Sequence, residues 1–308
     1  MRSSHPRYDL LRKRLDLFNR MLPGIEEGDI RALHRMRVAS RRLRELLPIL
    51  QLDRDVARKL GRRLRRVTKR LGAVRELDVL ILLLNELHES SRYHEGGLSR
   101  VSAEVSRSRD EAREALEEKL PKAALRRLAS KLEDVAESLR AAPAGPKRRQ
   151  DTVWRWAVEA RIASRAKRLA DAMRDAGALY LPERLHAVRI AVKKVRYSVE
   201  LEAELARVKH TPDLRTLTHA QDVLGRMHDL QVLIDRVRQI QAAAAADVRT
   251  ERELQAMVDT LENDCRRLHA RYVRDRAALA AMCARRGAAA DGLDPAGCAA
   301  SRRELTRA

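Results

Sequence analysis

The sequence predicts an all-α protein built as two antiparallel four-helix bundles related by a pseudo-twofold axis. Three observations carry this. Nearly every segment between helix breakers repeats its apolar residues at three- and four-residue spacing, the period of a helix with one buried face. The 308 residues include only 12 Gly and 9 Pro, too few for the frequent turns of an all-β chain. Two motifs of the first half also recur in the same order in the second, which makes the architecture a doubled one. A hydrophobic fraction of 44% argues against global disorder, and 3% aromatics leave the core to Leu, Val and Ala.

The elements follow in order. Residues 7–21 form a first helix, ended by Pro23-Gly24. Asp29 is a fitting N-cap for a second helix that reaches about Leu50. A third runs from near Asp53 to about Ser90, with Gly72 as a candidate kink. Gly96-Gly97 breaks the chain, and Ser99 to Leu120 is helical again. Pro121 suits the first turn of a helix to about Arg140. The stretch from Ala141 to Arg149 carries Pro, Gly and charge without periodicity and reads as a linker. Further helices are expected at 151–177, 182–208, 212–243 and 247–284, with a patternless tail from Gly287. The domain reading is therefore a first bundle over 1–141, a linker at 142–150, a second bundle over 151–285 and a disordered tail at 286–308.

The repeat is specific. Residues 34–44 and 186–196 both fit His-x2-Arg-x3-basic-basic-x-Arg, offset by 152. The element Leu71-Gly72-Ala73-Val74-Arg75-Glu76-Leu77-Asp78 matches Leu224-Gly225-Arg226-Met227-His228-Asp229-Leu230-Gln231, offset by 153. On a helix, His34, Arg37, Arg41 and Arg44 fall within about 80° of arc. Leu33, Met36, Ala39, Leu43, Leu46 and Leu47 gather on the other side. His186, Arg189, Lys193 and Arg196 repeat the stripe against Leu185, Val188, Val192 and Val195. At about 1.5 Å per residue each stripe spans roughly 15 Å, long enough to line several phosphates of an extended chain.

Charge points the same way. There are 65 Lys+Arg, of which 54 are Arg, against 44 Asp+Glu, for a net +21 and a pI near 10.8. Such an excess implies a polyanionic partner, and the planar guanidinium matches phosphate two bonds at a time. Arg58, Lys59, Arg62, Arg63, Arg65, Arg66, Lys69 and Arg70 place eight cations in thirteen residues with no acid among them. Leu60, Leu64, Val67 and Leu71 form the buried face of that run. Like charges at i, i+4 are destabilising, so the run has a cost that a bound anion relieves. A protonated imidazole donates to phosphate, so binding through His34 and His186 is expected to strengthen at lower pH. Glu76, Asp78 and Asp229 are expected to orient the stripe arginines.

Catalysis finds no support in the motifs. No Walker loop, nucleophile elbow or paired-carboxylate motif is visible, and no cofactor is expected. Glu183 and His186 form half of a di-metal signature, but the repeat equivalent of Glu183 is Arg31. Cys265 and His269 stand at zinc-ligand spacing with no further pair. The three cysteines, Cys265, Cys283 and Cys298, form no disulfide framework and suit a reducing compartment. The amino-terminal residues show no apolar leader core, and no apolar run approaches the ~20 residues of a membrane span. A cytoplasmic protein is the expectation.

These doubled motifs resemble CHAD domains, the conserved histidine α-helical domain, over roughly residues 5–285. The resemblance implies two four-helix bundles around a basic groove or pore. It also implies binding of long-chain inorganic polyphosphate and targeting to polyphosphate granules. By motif, His34, Arg37, Arg41, Arg42 and Arg44 match the family's first basic helix, and His186, Arg189, Lys193, Lys194 and Arg196 the second. Arg58, Arg62, Arg65, Arg66 and Lys69 join them from the cationic run as candidate binding residues. The second half departs from symmetry: Arg66 aligns with His219 and Lys69 with Asp222. Many family members carry a triphosphate-cleaving CYTH domain, which has no counterpart segment here. A DNA- or RNA-binding protein is the runner-up, although the basic helices carry only Tyr197 for base stacking. A helical scaffold for an acidic protein is the third reading; oligomeric state is not legible.

Overall fold

A computed structural model of the chain describes residues 6–90, 92–142, 147–206, 208, 211–243 and 248–291. Among these residues there are helices and turns and no strand. The helices are α1 Pro6–Arg20, α2 Leu22–Glu26, α3 Ile30–Leu46, α4 Arg54–Glu89, α5 Glu95–Lys119, α6 Lys122–Ala141, α7 Lys147–Ala176, α8 Pro182–Ala206, α9 Pro212–Ala243 and α10 Val248–Asp291. A 3-10 turn at Leu47–Ile49 closes α3.

Local chemistry sets several boundaries. Asp29 caps α3 by accepting from the amides of Arg31 (2.8 Å) and Ala32 (3.2 Å). Asp53 caps α4 by accepting from Asp55 (2.9 Å) and Val56 (3.1 Å). Each carboxylate satisfies two amides that the helix start leaves unpaired.

The glycine-based boundaries come out differently. Pro23-Gly24 does not open the chain but lies inside α2. A Cβ on Gly24 would stand 2.6 Å from the Cβ of Ala32, so the glycine serves the packing of α2 on α3. Gly96-Gly97 likewise begins α5 rather than interrupting the chain. A Cβ on Gly96 would fall 2.5 Å from Glu253 Oε2, and one on Gly97 3.4 Å from Glu253 Cβ. Here glycine permits a close approach of α5 to α10. Helix α4 continues through Gly72 without interruption.

Of the linker at 142–150, residues 143–146 lie outside the described residues and 147–150 belong to α7. Of the tail at 286–308, residues 286–291 belong to α10 and 292–308 lie outside the described residues.

The chain forms two compact units, divided along a different line from the sequence-based bundles. One holds residues 1–147 with 229–263, the other 148–228 with 264–308. In the first unit, α1 packs on α3 and α6, α3 on α4, and α4 on α5. Leu11, Leu15, Phe18, Met36, Leu43, Leu64, Leu71 and Leu132 are fully buried at its centre. Ser40 and Thr68 share a buried hydroxyl hydrogen bond of 3.1 Å between α3 and α4. Thr68 also donates to Leu64 O at 2.8 Å, so neither hydroxyl is buried unmet. Arg236 of α9 donates to Ser108 and lies 3.5 Å from Glu104, both on α5.

In the second unit, Arg165 of α7 donates to Lys194 O and Ser198 Oγ of α8, both at 2.7 Å. Asp213 at the start of α9 accepts from Arg285 (3.0 Å) and Arg286 (2.6 Å) of α10. Arg286 also reaches Glu202 of α8 at 2.8 Å. Tyr272, Val188, Val192, Val195, Leu217 and Leu279 are buried within this unit. Cys265 and Cys283 are buried free thiols, and Cys298 lies outside the described residues. Burial, with Asp213 nearby, pushes the Cys283 thiol up to about 11. No helix among the described residues is long and apolar enough to cross a membrane.

Candidate functional site

Helix α3 divides as its sequence requires. Leu33, Met36, Ala39, Leu43 and Leu46 are buried, while His34 and Arg42 are exposed and Arg37, Arg41 and Arg44 are half-buried. On α4, Leu60, Leu64, Val67 and Leu71 are buried, and Arg58, Lys59, Arg62, Arg63, Arg65, Arg66 and Lys69 are exposed. Arg70 is half-buried. The run is not wholly uncompensated, because Arg58 pairs with Asp55 at 2.8 Å. Among the described residues, Arg62, Arg65, Arg66 and Lys69 have no hydrogen bond or ion pair within the protein.

Packing brings the two repeated motifs face to face. Ser40 meets Thr68, the Arg37 guanidinium lies over Gly72, and His34 feels the charge of Arg75. As the α3 number falls the α4 number rises, which is the register of an antiparallel pair. A Cβ on Gly72 would sit 3.6 Å from Arg37 Nε, an ordinary contact distance, and α4 runs on through this glycine with the guanidinium against it.

The second unit repeats the arrangement on α8 and α9. Leu185, Val188, Val192 and Val195 are buried; His186, Arg189, Lys193 and Arg196 are half-buried and Lys194 is exposed. His186 Nδ1 lies 3.2 Å from Nδ1 of His228, with ring centroids 4.6 Å apart. Arg196 is engaged by Glu200 at 2.9 Å one turn along. Arg37 and Arg189, equivalent in the repeat, each bury an Nε without a hydrogen-bond partner among the described residues. Both residues make other interactions.

Two residues of this arrangement escaped the motif reading as site residues: Arg75 and His228. They occupy one repeat position, and each flanks the histidine that opens its stripe. The 153-residue offset of the second motif was the available signal.

Asp78 corrects an expectation. It does not orient a stripe arginine; it is buried and accepts from Arg109 Nε of α5 at 3.0 Å. The packing of α5 on α4 decides this, since Arg109 is the cation α5 carries to that face. Asp78 reaches the stripe only through its field, which opposes the other influences on His34. Glu76 is exposed.

The electrostatics hold these histidines neutral. Desolvation, then Arg75, Arg37 and Arg35, lower the pKa of His34, although the residue is exposed. Desolvation, then Arg189, His186 and Lys193, lower His228 to about 3. An unfolded histidine titrates near 6.5. Below that pH the unfolded chain therefore binds more protons than the folded one. The sign follows: stability of the unliganded protein is expected to fall as pH drops from about 6.5 toward 3. Urea midpoints at pH 7.5, 6 and 5 check this, and His228→Gln should flatten the dependence. Equal midpoints for the wild type at the three pH values would contradict it.

Among the described residues no group of three or more His, Cys, Asp or Glu is placed to hold a metal ion. Glu183 is exposed at the start of α8 beside the half-buried His186, and Cys265 is buried with its Sγ 3.8 Å from Met227 O.

Comparison with known proteins adds the following. A family model described as the CHAD domain matches residues 9–238. Among solved structures, PptA from Streptomyces chartreusis superposes with a TM-score of 0.64 at 18% identity, covering 89% of this chain and 99% of that one. The CHAD domain from the plant Ricinus communis superposes with a TM-score of 0.60 at 24% identity, covering 90% of this chain and 91% of that one. At these identities the structural likeness speaks for the fold. A search of curated proteins returns no match.

Proposed function

The chain belongs to the CHAD domain family, and from that premise we propose that it binds long-chain inorganic polyphosphate along its basic helix faces, without catalysing a reaction on it. The observation that carries this reading is the doubled stripe: His34, Arg37, Arg41 and Arg44 on α3, and His186, Arg189, Lys193 and Arg196 on α8, each opposite a buried apolar face. Arg42, Lys194 and the α4 cations Arg58, Arg62, Arg65, Arg66 and Lys69 add exposed charge on the same helices or their neighbour. Association with polyphosphate granules belongs to the same proposal.

The physics of the interaction is additive contact along a linear ligand. A charge-assisted hydrogen bond contributes about 1.5–3 kcal/mol. Several together, with released counterions, suffice for tight binding to a chain that repeats its charge. Exposed cations without partners, such as Arg62 and Arg66, lose no internal ion pair when they engage phosphate. Base stacking is poorly served, because Tyr197 on α8 is half-buried and no other aromatic accompanies the stripes.

Competition at fixed salt tests the proposal. Long-chain polyphosphate should displace a labelled polyanion far better than single- or double-stranded DNA of equal total charge. If DNA displaces it as well or better, the protein is a nucleic-acid binder instead. Log affinity should also fall with log salt by about 0.7 per phosphate neutralised, by analogy with single strands. For six phosphates that is roughly 300-fold between 50 and 200 mM salt.

A further inference from the structure

The two imidazoles joined in the second unit differ from every other group in the site. His186 opens the α8 stripe, and His228 on α9 faces it Nδ1 to Nδ1 at 3.2 Å. That distance is a hydrogen bond, and a hydrogen bond between two Nδ1 atoms needs a proton on one ring and a lone pair on the other. The accepting ring must then be the neutral tautomer that carries its proton on Nε2. The donating ring, if also neutral, has a bare Nε2. One further proton on that Nε2 makes the donor an imidazolium. Both rings then present an Nε2–H, and the pair carries one positive charge. A second added proton would place two like charges in contact, so the pair holds one extra proton and no more.

The first unit solves the same position with fixed charge. His34 there is flanked by Arg75, the repeat equivalent of His228. The charges that act on His228 are Arg189 and Lys193 of α8 and His186 itself. Cys265 of α10, whose Sγ contacts Met227 O beside the pair, is a buried thiol without charge. In the unliganded protein burial, then Arg189, His186 and Lys193, disfavour a proton on His228. A phosphate chain lying on Arg189 and Lys193 cancels their repulsion and supplies acceptors for the new N–H.

We propose that His186 and His228 together form a phosphate-binding subsite that takes up one shared proton when the polyanion binds, making affinity in the second unit depend on pH. This rests on the polyphosphate reading above and adds to it a binding residue, His228, and a mode of regulation. The proton comes from solvent and no bond other than N–H is made. The sign is opposite to that of fold stability: the complex holds the proton more tightly than the free protein, so affinity rises as pH falls.

His228→Arg is the decisive variant, because it installs in the second unit the residue that the first unit already carries. Binding of long-chain polyphosphate is measured at pH 8, 7 and 6 at constant ionic strength. Titration calorimetry in buffers of different ionisation enthalpy counts the protons taken up. Wild type should gain roughly tenfold in affinity from pH 8 to pH 6 beyond any gain shown by the variant, within the limit of tenfold per pH unit for one proton. At pH 7 it should take up more protons per bound chain than the variant, by up to one. His228→Arg should bind at pH 8 more nearly as wild type does at pH 6. His186→Gln should lower both the affinity and the proton count. Equal pH slopes and equal proton counts for wild type and His228→Arg, with polyphosphate still bound, would overturn the paired subsite and leave the polyphosphate reading standing. If the wild type fails to bind polyphosphate at pH 6, both fall.

Discussion

Replacing Arg41 and Lys193 together by Glu is expected to weaken polyphosphate binding by at least about a thousandfold while leaving helicity unchanged. The two residues occupy equivalent positions in the α3 and α8 stripes, 152 residues apart in the chain. Each reversal removes a charge-assisted contact of about 1.5–3 kcal/mol and adds a like charge against the phosphates. Two such losses reach about 4 kcal/mol, which is roughly a thousandfold. Neither side chain lies in the buried face: the apolar anchors are Met36, Leu43 and Leu46 on α3 and Val188, Val192 and Val195 on α8. Circular dichroism and thermal melts should therefore match the wild type. Each single reversal, measured alone, gives the contribution of its own stripe. Intact binding in the double variant would remove the stripes from the site.

Asp213→Ala is expected to destabilise the fold by about 2–3 kcal/mol. Asp213 is almost buried and ties α9 to α10 through Arg285 and Arg286. Arg286 continues the network to Glu202 on α8. Arg285 is 62% exposed, so its share is small. Arg286 is 23% exposed and loses its shortest contact when Asp213 is truncated. Glu202 remains to compensate it in part, which keeps the loss below that of a fully buried pair. Urea unfolding at pH 7.5 measures the effect. A change under about 0.5 kcal/mol would mean that the network is solvated in practice. The same variant should bind polyphosphate normally where it is folded, which separates this network from the stripes.

The residues that were legible beforehand share a physical character. Asp29 could be recognised as a cap because a cap acts within three residues of itself. The apolar spacing of Leu33, Met36, Leu43, Leu60, Leu64 and Leu71 named the buried faces, and by exclusion it named the cationic ones. The glycine pairs were misread for the opposite reason. Gly24 and Gly96 look like breakers in isolation, but each lies in a helix, Gly24 too close to the Cβ of Ala32 for a side chain and Gly96 against the Glu253 carboxylate. Asp78 shows the same limit: spacing placed it on the helix of the cationic run, and only the packing of α5 gave it Arg109.

The pairing of His186 with His228 marks the boundary most sharply. The sequence by itself determined the helical class, the doubled stripe, its buried reverse face and the excess of positive charge. These depend on periodicity and composition along one chain segment at a time. Tertiary structure alone decided which side chain stands opposite which. It set His34 beside Arg75, Arg37 over Gly72 and the two imidazoles 3.2 Å apart. It also grouped residues 229–263, which begin inside the second copy of the Leu71–Asp78 motif, with the first compact unit. Register between packed helices arises from contacts over tens to hundreds of residues, and no local pattern encodes it. Protonation follows register, because a histidine's pKa is set by the charges and the desolvation that packing brings to it.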